Sequence, residues 1–318
     1  MAYDVAHDQK SKMVESNLRY RFSGHQTFPF RYAWLPKAVR RLEVDGQLFF
    51  CDEAMVTLGV GKNMVSSIRH WVEALKLAAL DGRKKTGGPS ILGNKLFGKN
   101  GWDPYLEDAG TPWLLHWQLV HAPENAATWH LAFTKWNRDV FTRAELLNWL
   151  VGVAQNLGDK KTSRNSLRRD VDVFIRTYVP SRPDKRRSLE ESFDCPLVEL
   201  GLIRELEDGY YQFVRGPKPT LPVEIFAFAL MKFWREQAEA QETISFESLL
   251  YGPGSPGAAF KLTEGALARY LEGLPGWTDL HYDETAGLRL LIRTSGKRLL
   301  EPIECLENYY ESRQEAVV

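Results

Sequence analysis

The spacing of apolar residues in residues 52–77, DEAMVTLGVGKNMVSSIRHWVEALKL, constrains the fold of this 318-residue chain most. A short apolar stretch, AMVTL, precedes a Gly-Val-Gly break, and residues 62–77 then carry apolar side chains at helical spacing. Those apolar positions are Met64, Val65, Ile68, Trp71, Val72 and Leu75. A short helix, a glycine-containing turn and a second amphipathic helix are typical of a helix-turn-helix. We therefore predict this motif.

The polar face of the second predicted helix indicates a partner. It carries Lys62, Asn63, Ser66 and Arg69, which can contact phosphates and base edges when a helix lies in a DNA groove. The alternative is an ordinary amphipathic helix whose polar face contacts water. DNA is the partner that the pattern favours, and both interpretations stay open.

Charge and composition exclude several classes of protein. The 41 Lys and Arg residues balance 41 Asp and Glu residues, which argues against a general nucleic-acid coat protein. Any contact with DNA must therefore come from local basic patches. Its three distant cysteines match neither a zinc site nor a disulfide framework. The sequence has no Gly-rich loop with a GK[ST] motif, so it is not a P-loop NTPase. The N-terminus lacks a signal-peptide core and the apolar runs are too short to cross a bilayer, so we expect a cytoplasmic protein.

The strongest local patch is a basic cluster in residues 160–187, with ten Lys and Arg against three Asp, an excess of seven positive charges. It overlaps a second candidate recognition helix, whose apolar face includes Leu167, Val171 and Phe174. We expect phosphate contacts from six polar residues there. They are Lys160, Lys161, Arg164, Asn165, Arg168 and Arg169. The alternative is a solvated or disordered charge run.

The order of predicted elements repeats along the chain. We predict a mainly α fold with small β-hairpins, built from tandem winged-helix units at residues 21–121, 122–216 and 217–318 after a flexible N-terminus (residues 1–20). The Gly- and Lys-rich residues 82–101 are expected to form a flexible wing. Thr142 and Glu145 form a predicted capping box at the start of a helix in the second unit.

His25, in the motif FSGHQTF, is the first candidate catalytic residue. It follows a glycine and lies near Arg31, so it could act as a general acid or base, or contact phosphate together with Arg31. The alternative is a histidine that hydrogen bonds lock in place to hold its loop against the first helix.

A second candidate site is the acidic group Asp103, Glu107 and Asp108, the densest group of acids near a histidine, His116. A metal-dependent nick requires carboxylates that hold the ion and activate water. The same acids also suit a helix N-terminus, where negative charge is favourable.

Three motifs carry a resemblance to a known bacterial family: FSGHQTFPFRYAWLPK, LGVGKNMVSSIRHWVEAL and NGWDPYLEDAGTPWLLHWQL. Together they resemble the domain of unknown function 4007 family over most of the chain, roughly residues 21–296. Members of that family sit beside cysteine desulfurases and phosphoadenosine-phosphosulfate-reductase-like enzymes in DNA phosphorothioation loci. The family includes the DNA-nicking subunit of a single-stranded phosphorothioation system, which is an anti-phage defence.

The resemblance implies an endonuclease that binds DNA and nicks one strand, so that partners can replace a non-bridging phosphate oxygen by sulfur. The implied partners are a cysteine desulfurase, an ATPase and a phosphoadenosine-phosphosulfate-reductase-like enzyme. A nickase also implies a divalent metal, Mg²⁺ or Mn²⁺, but the resemblance assigns no catalytic residues. Two alternatives stay open: a non-catalytic DNA-binding adaptor or transcription regulator of such a locus, and a scaffold whose winged helices bind partner proteins.

Overall fold

Helices and three small antiparallel sheets make up the protein, in a computed structural model that describes residues 19–159, 161–181, 195–238, 240–285, 287–294 and 296–315. The predicted flexible N-terminus therefore lies almost wholly outside the described residues. The described helices include none that is both long and apolar enough to cross a membrane.

The first segment contains the two predicted helices and the turn between them. Its elements are α1 (Trp34–Val44), α2 (Ala54–Leu58), α3 (Lys62–Ala74), the hairpin β1 (Ala78–Asp81) with β2 (Thr86–Pro89), and α4 (Ile91–Phe97). Helix α2 ends at Gly59, whose φ of 64° is left-handed and therefore suits glycine. The chain then reverses and α3 begins directly after Gly61.

The first two helices of the next group, α5 (Gly110–Val120) and α6 (Pro123–Thr134), connect the first segment to the second. The elements that follow are β3 (Val140–Thr142), α7 (Arg143–Asn156), α8 (Arg164–Tyr178), β4 (Ile203–Glu205) and β5 (Tyr210–Phe213). The strands form one antiparallel sheet in the order β3-β5-β4. The predicted capping box is confirmed: Thr142 Oγ1 accepts the Glu145 N–H at 3.2 Å, and Glu145 Oε2 accepts the Thr142 N–H at 2.7 Å.

The third segment repeats this order of elements. It consists of α9 (Val223–Ala238), β6 (Thr243–Ser245), α10 (Phe246–Tyr251), α11 (Pro256–Ala259), α12 (Glu264–Glu272), β7 (Leu280–Thr285), β8 (Leu288–Arg293) and the closing helix α13 (Pro302–Glu315). Its sheet has the order β6-β8-β7, so the strand that precedes the helices again pairs with the last strand of the hairpin.

Two sequence-based expectations are corrected by these elements. The second and third sheets are three-stranded rather than simple hairpins, because β3 and β6 add an edge strand to each. Both strands have three residues, too few for an alternating pattern to be recognised. Part of the predicted wing is helix α4, since Ser90 Oγ accepts the Gly93 N–H at 2.9 Å and caps a short apolar helix there.

Helix α5 lies at the centre of the fold, and all of its residues are buried. Its His116 Nε2 donates a hydrogen bond to the Ala259 carbonyl of α11, and Nδ1 of the neutral ring then accepts one from the Tyr178 hydroxyl of α8, each at 2.9 Å. Burial lowers the pKa of His116 to about 3, so the ring is neutral near pH 7. This histidine therefore joins the three segments from within the core.

Candidate nucleic-acid interface

Helix α3 presents its first polar turn to solvent. Lys62, Asn63 and Ser66 are exposed, while Ile68 and Trp71 are buried on the opposite face. Arg69 is half-buried: its guanidinium lies 4.6 Å above the Phe50 ring, and Nε lies 3.8 Å from Glu73 Oε2. Three of the four predicted DNA contacts on this helix are therefore exposed, and Arg69 also packs against its own segment.

Helix α8 presents a longer polar surface. Ser163 caps its N-terminus by accepting the Ser166 N–H at 3.1 Å, and Leu167, Val171 and Phe174 face the core. Five predicted contacts are exposed on the other face or just before the helix: Lys161, Arg164, Asn165, Arg168 and Arg169.

The cations on this surface differ in their contacts. Arg164 Nη2 donates to Asn148 Oδ1 at 2.6 Å, whereas Arg168 and Arg169 form no ion pair with any acid in the part of the chain that is described. Lys160, also a predicted contact, lies outside the described residues, as do Arg182, Lys185, Arg186 and Arg187 of the basic cluster.

The FSGHQTF loop (residues 22–28) lies between these two helices, and Asp170 of α8 holds it there. Asp170 Oδ1 accepts a hydrogen bond from His25 Nε2 at 2.9 Å, and Oδ2 accepts the Ser23 N–H at 3.1 Å and the Thr128 hydroxyl at 2.9 Å. Both His25 and Asp170 are almost fully buried. His25 Nδ1 accepts the Thr27 N–H at 3.2 Å, so Nε2 carries the proton and donates to Asp170.

Backbone carbonyls attach the same loop to both helices. From α3, Ser67 Oγ donates to the His25 carbonyl at 2.8 Å, and Trp71 Nε1 donates to the Phe28 carbonyl at 2.9 Å. From α8, Arg176 Nη2 donates to the Thr27 carbonyl at 2.6 Å. The loop therefore connects the two candidate recognition helices. In this geometry, His25 Nε2 bonds to Asp170 of α8, while Nδ1 accepts the Thr27 N–H within the loop.

Gly24 allows the loop to approach α3 closely. Its φ is +115°, which L side chains rarely adopt, and a Cβ at this position would lie 2.7 Å from His70 Nδ1. His70 is buried against Trp71, and its Nε2 has no hydrogen-bond partner among the described residues. Burial, with a smaller contribution from His25, lowers the pKa of His70 to about 3. A neutral imidazole thus packs directly against the Gly24 backbone.

We expect Gly24→Ala to destabilise the protein by about 2 to 4 kcal/mol, because it combines backbone strain with a clash against a buried ring. Gly88→Ala is the matched control, since its added Cβ would have no neighbour within 4 Å and its φ is not positive. Urea unfolding followed by tryptophan fluorescence measures both free energies of unfolding. Equal values for the two variants would contradict the role assigned to Gly24.

The acidic group lies before α5 and is bound to the closing helix. Asp103 is buried, and its carboxylate accepts the Glu107 N–H at 2.8 Å, the Asp108 N–H at 3.2 Å and the Thr111 hydroxyl at 2.6 Å. Asp108 accepts the Gly110 N–H and the Tyr309 hydroxyl, each at 2.7 Å. Its other oxygen lies 2.8 Å from Arg313 Nε. Glu107 is exposed.

These contacts separate the predicted catalytic residues into two places. His25 contacts α3 and α8, whereas Asp103 and Asp108 contact the start of α5 and helix α13. His116, predicted to lie near the acids, is bonded to Tyr178 and Ala259 instead. In the described ranges there is no group of three or more His, Cys, Asp and Glu side chains that could hold a metal ion.

Three residues that position the loop were missed by sequence analysis: Thr128, Asp170 and Arg176. Asp170 could have been noticed, because it lies on the apolar stripe of α8, between Leu167 and Phe174, where an acid requires a buried partner. Arg31, a predicted DNA contact, is half-buried, with its guanidinium 4.9 Å from the centre of the Trp34 ring.

Comparisons with known proteins agree with the resemblance carried by the three motifs. The sequence matches the model of the family described as "Protein of unknown function (DUF4007)" over residues 22–310. A magnesium ion-bound SspB crystal structure is 32% identical, with a TM-score of 0.82, and the match covers 92% of this chain and 88% of that chain. A second SspB crystal structure is 31% identical, with a TM-score of 0.81 and the same coverage. No curated protein matches. The chain therefore belongs to the DUF4007 family.

Proposed function

We propose that this chain is the DNA-binding component of a DNA phosphorothioation system that defends against phage, and that it nicks one strand so that partners can insert sulfur. Its family and its likeness to SspB, a subunit of such a system, support this role. The observation that carries DNA binding is structural: one loop, held by the buried His25–Asp170 hydrogen bond, joins two helices whose outer faces carry basic and amide side chains.

We infer that the three segments are winged-helix units with boundaries near residues 121 and 216. The second and third segments share the order helix, strand, helices and two-stranded hairpin, and in both the first strand pairs with the last. The first segment has the two helices and the hairpin without the extra strand. Winged-helix proteins place the second helix of the motif in the major groove, which assigns that position to α3 and α8.

The proposed DNA contacts are divided between these two helices. On α3 they are Lys62, Asn63, Ser66 and Arg69, with Arg31 beside the loop. On α8 they are Arg164, Asn165, Arg168 and Arg169, and Lys160 and Lys161 precede the helix in the sequence. Cations attract phosphates on any sequence, whereas amide and hydroxyl groups can read base edges. A neutral protein would therefore bind DNA through local basic patches.

The proposal that this chain nicks DNA rests on the family resemblance. We include a divalent ion in it because one SspB structure is magnesium ion-bound. The described residues fit such an ion poorly, because Asp103 and Asp108 already accept hydrogen bonds or ion pairs within the chain. We therefore derive no metal-dependent step from Asp103, Glu107 or Asp108. His25, which donates to a buried carboxylate, has a positioning role in our proposal.

These same contacts favour a second candidate, a non-catalytic adaptor that binds DNA and recruits the sulfur-inserting proteins. Those partners would be the cysteine desulfurase, ATPase and phosphoadenosine-phosphosulfate-reductase-like enzyme of the system. The observation that favours the adaptor concerns three of the four candidate catalytic residues, His25, Asp103 and Asp108. Their side chains form buried or half-buried hydrogen bonds within the chain.

A plasmid assay separates the two candidates. Purified protein incubated with supercoiled plasmid and Mg²⁺ or Mn²⁺ should convert it to open circles, and EDTA should prevent the conversion. The plasmid forms are measured on an agarose gel, and retention of the plasmid is measured in parallel on a filter. Retention without open circles would overturn nicking and support the adaptor, whereas absence of retention would overturn both candidates.

A further inference from the structure

We propose that Gln26 and Thr27, at the tip of the FSGHQTF loop, contact base edges of the DNA between helices α3 and α8 and determine its sequence selectivity. This inference rests on the proposed DNA binding, in which neither of these two side chains has a contact. Both residues are exposed, while His25, directly before Gln26, is buried.

The position of the tip follows from its bonds. The carbonyl of His25, directly before Gln26, accepts a hydrogen bond from Ser67 of α3, and Ser67 follows the exposed Ser66. The carbonyl of Thr27 accepts a hydrogen bond from Arg176 of α8 at 2.6 Å. The tip is therefore fixed between the two helices proposed to contact DNA, and a duplex that touched both would pass over it.

The backbone of the tip is strained. Gln26 has a φ of 50° and Thr27 a φ of 66°, both left-handed. This conformation is easy for glycine but uncommon for other residues, and for a β-branched residue such as Thr it is an outlier. Neither side chain forms a hydrogen bond within the described part of the chain. Strain of this kind accumulates at binding sites, where the side chain is needed for a ligand.

The chemistry of the two side chains suits base recognition. A glutamine amide both donates and accepts hydrogen bonds and pairs with the adenine edge in the major groove, and a threonine hydroxyl can pair with several bases. Neither carries charge, so neither adds to the salt-dependent attraction of phosphates. Affinity for any duplex would come from Lys62, Arg168 and Arg169, and discrimination among duplexes from the tip.

A selection experiment tests this division. The wild-type chain is used to enrich sequences from a library of random duplexes, and the double variant Gln26→Gly/Thr27→Gly is then compared on the enriched duplex and on the unselected library. We expect the variant to lose about tenfold of the preference for the enriched duplex. Its affinity for the library and its salt dependence should remain within about twofold, since no phosphate contact is removed.

A stability measurement distinguishes this role from a structural one. Glycine relieves the strain at both positions, so the variant should unfold at an equal or higher urea concentration while it loses selectivity. Asp208→Gly is the matched control, because Asp208 is also exposed with a left-handed φ of 58° but lies on the β4–β5 hairpin. It should relieve strain without changing the enriched sequence.

The outcomes that overturn the two proposals differ. If the wild type enriches no sequence, or if the glycine variant keeps the full preference, the tip does not select sequence, although DNA binding stands. If the wild-type chain retains no duplex at all, the proposed DNA binding itself fails, and this inference fails with it.

Discussion

Replacing Lys62, Arg168 and Arg169 by alanine should weaken duplex binding roughly 100- to 1,000-fold at about 0.1 M salt, because each phosphate contact releases about one counterion. The three side chains are exposed on the two helices that the FSGHQTF loop connects. The plot of log affinity against log salt concentration should become shallower by about 2.7. Fluorescence anisotropy with a labelled duplex, repeated over a range of NaCl concentrations, measures both quantities.

A variant of equal charge controls for the overall field of the protein. Arg138, Lys297 and Arg298 are exposed, and each already forms an ion pair with an acid. Replacing these three by alanine removes the same total charge but no proposed contact, so affinity should fall less than about tenfold. Equal losses in the two triple variants would show that net charge, rather than the surface of α3 and α8, governs binding.

Asp170→Ala should lower the free energy of unfolding by about 3 to 5 kcal/mol, because it removes the only carboxylate of a buried hydrogen-bonded group. In the described structure that carboxylate accepts hydrogen bonds from the buried His25 and Thr128 side chains and from the half-buried Ser23 N–H, and the variant removes their acceptor. Asp170→Asn keeps one acceptor oxygen and should be affected less. Urea denaturation gives the values.

The neighbouring acid on α8 provides the control. Asp172 lies 3.8 Å from Arg143 Nε, and both side chains are about half exposed, with relative exposures of 47% and 49%. Exposed pairs of this kind contribute at most about 1 kcal/mol, so Asp172→Ala should be nearly neutral. Similar destabilisation by the two substitutions would contradict the assignment of Asp170 as the residue that holds the loop.

Local interactions explain what could be predicted from the sequence. The helices α2 and α3, the glycine turn at Gly59 and the capping box at Thr142 depend on side chains within four residues of one another, so apolar spacing and polar signals were sufficient. The apolar face of α8 was predicted for the same reason. The family was recognised because its motifs are contiguous stretches of sequence, and the family match confirms it.

Short strands and distant partners explain what was missed. The strands β3 and β6 have three residues each and form only because a later hairpin offers an edge. The acidic group before α5 was expected either to hold a metal or to begin a helix. In the structure Asp108 accepts the N–H of Gly110, where α5 begins, and it also accepts the hydroxyl of Tyr309 on the closing helix, about 200 residues away.

The sequence by itself determined the family, the two candidate recognition helices and the basic character of α8, because each is written in neighbouring residues. Only the tertiary structure decided how His25 is held. Its sequence context allowed either a catalytic or a locked histidine, and the partner that holds it, Asp170, lies 145 residues further along the chain. A buried hydrogen bond of that separation exists only after α3, α6 and α8 have packed together, since only packing brings the carboxylate to the loop and removes water from around it.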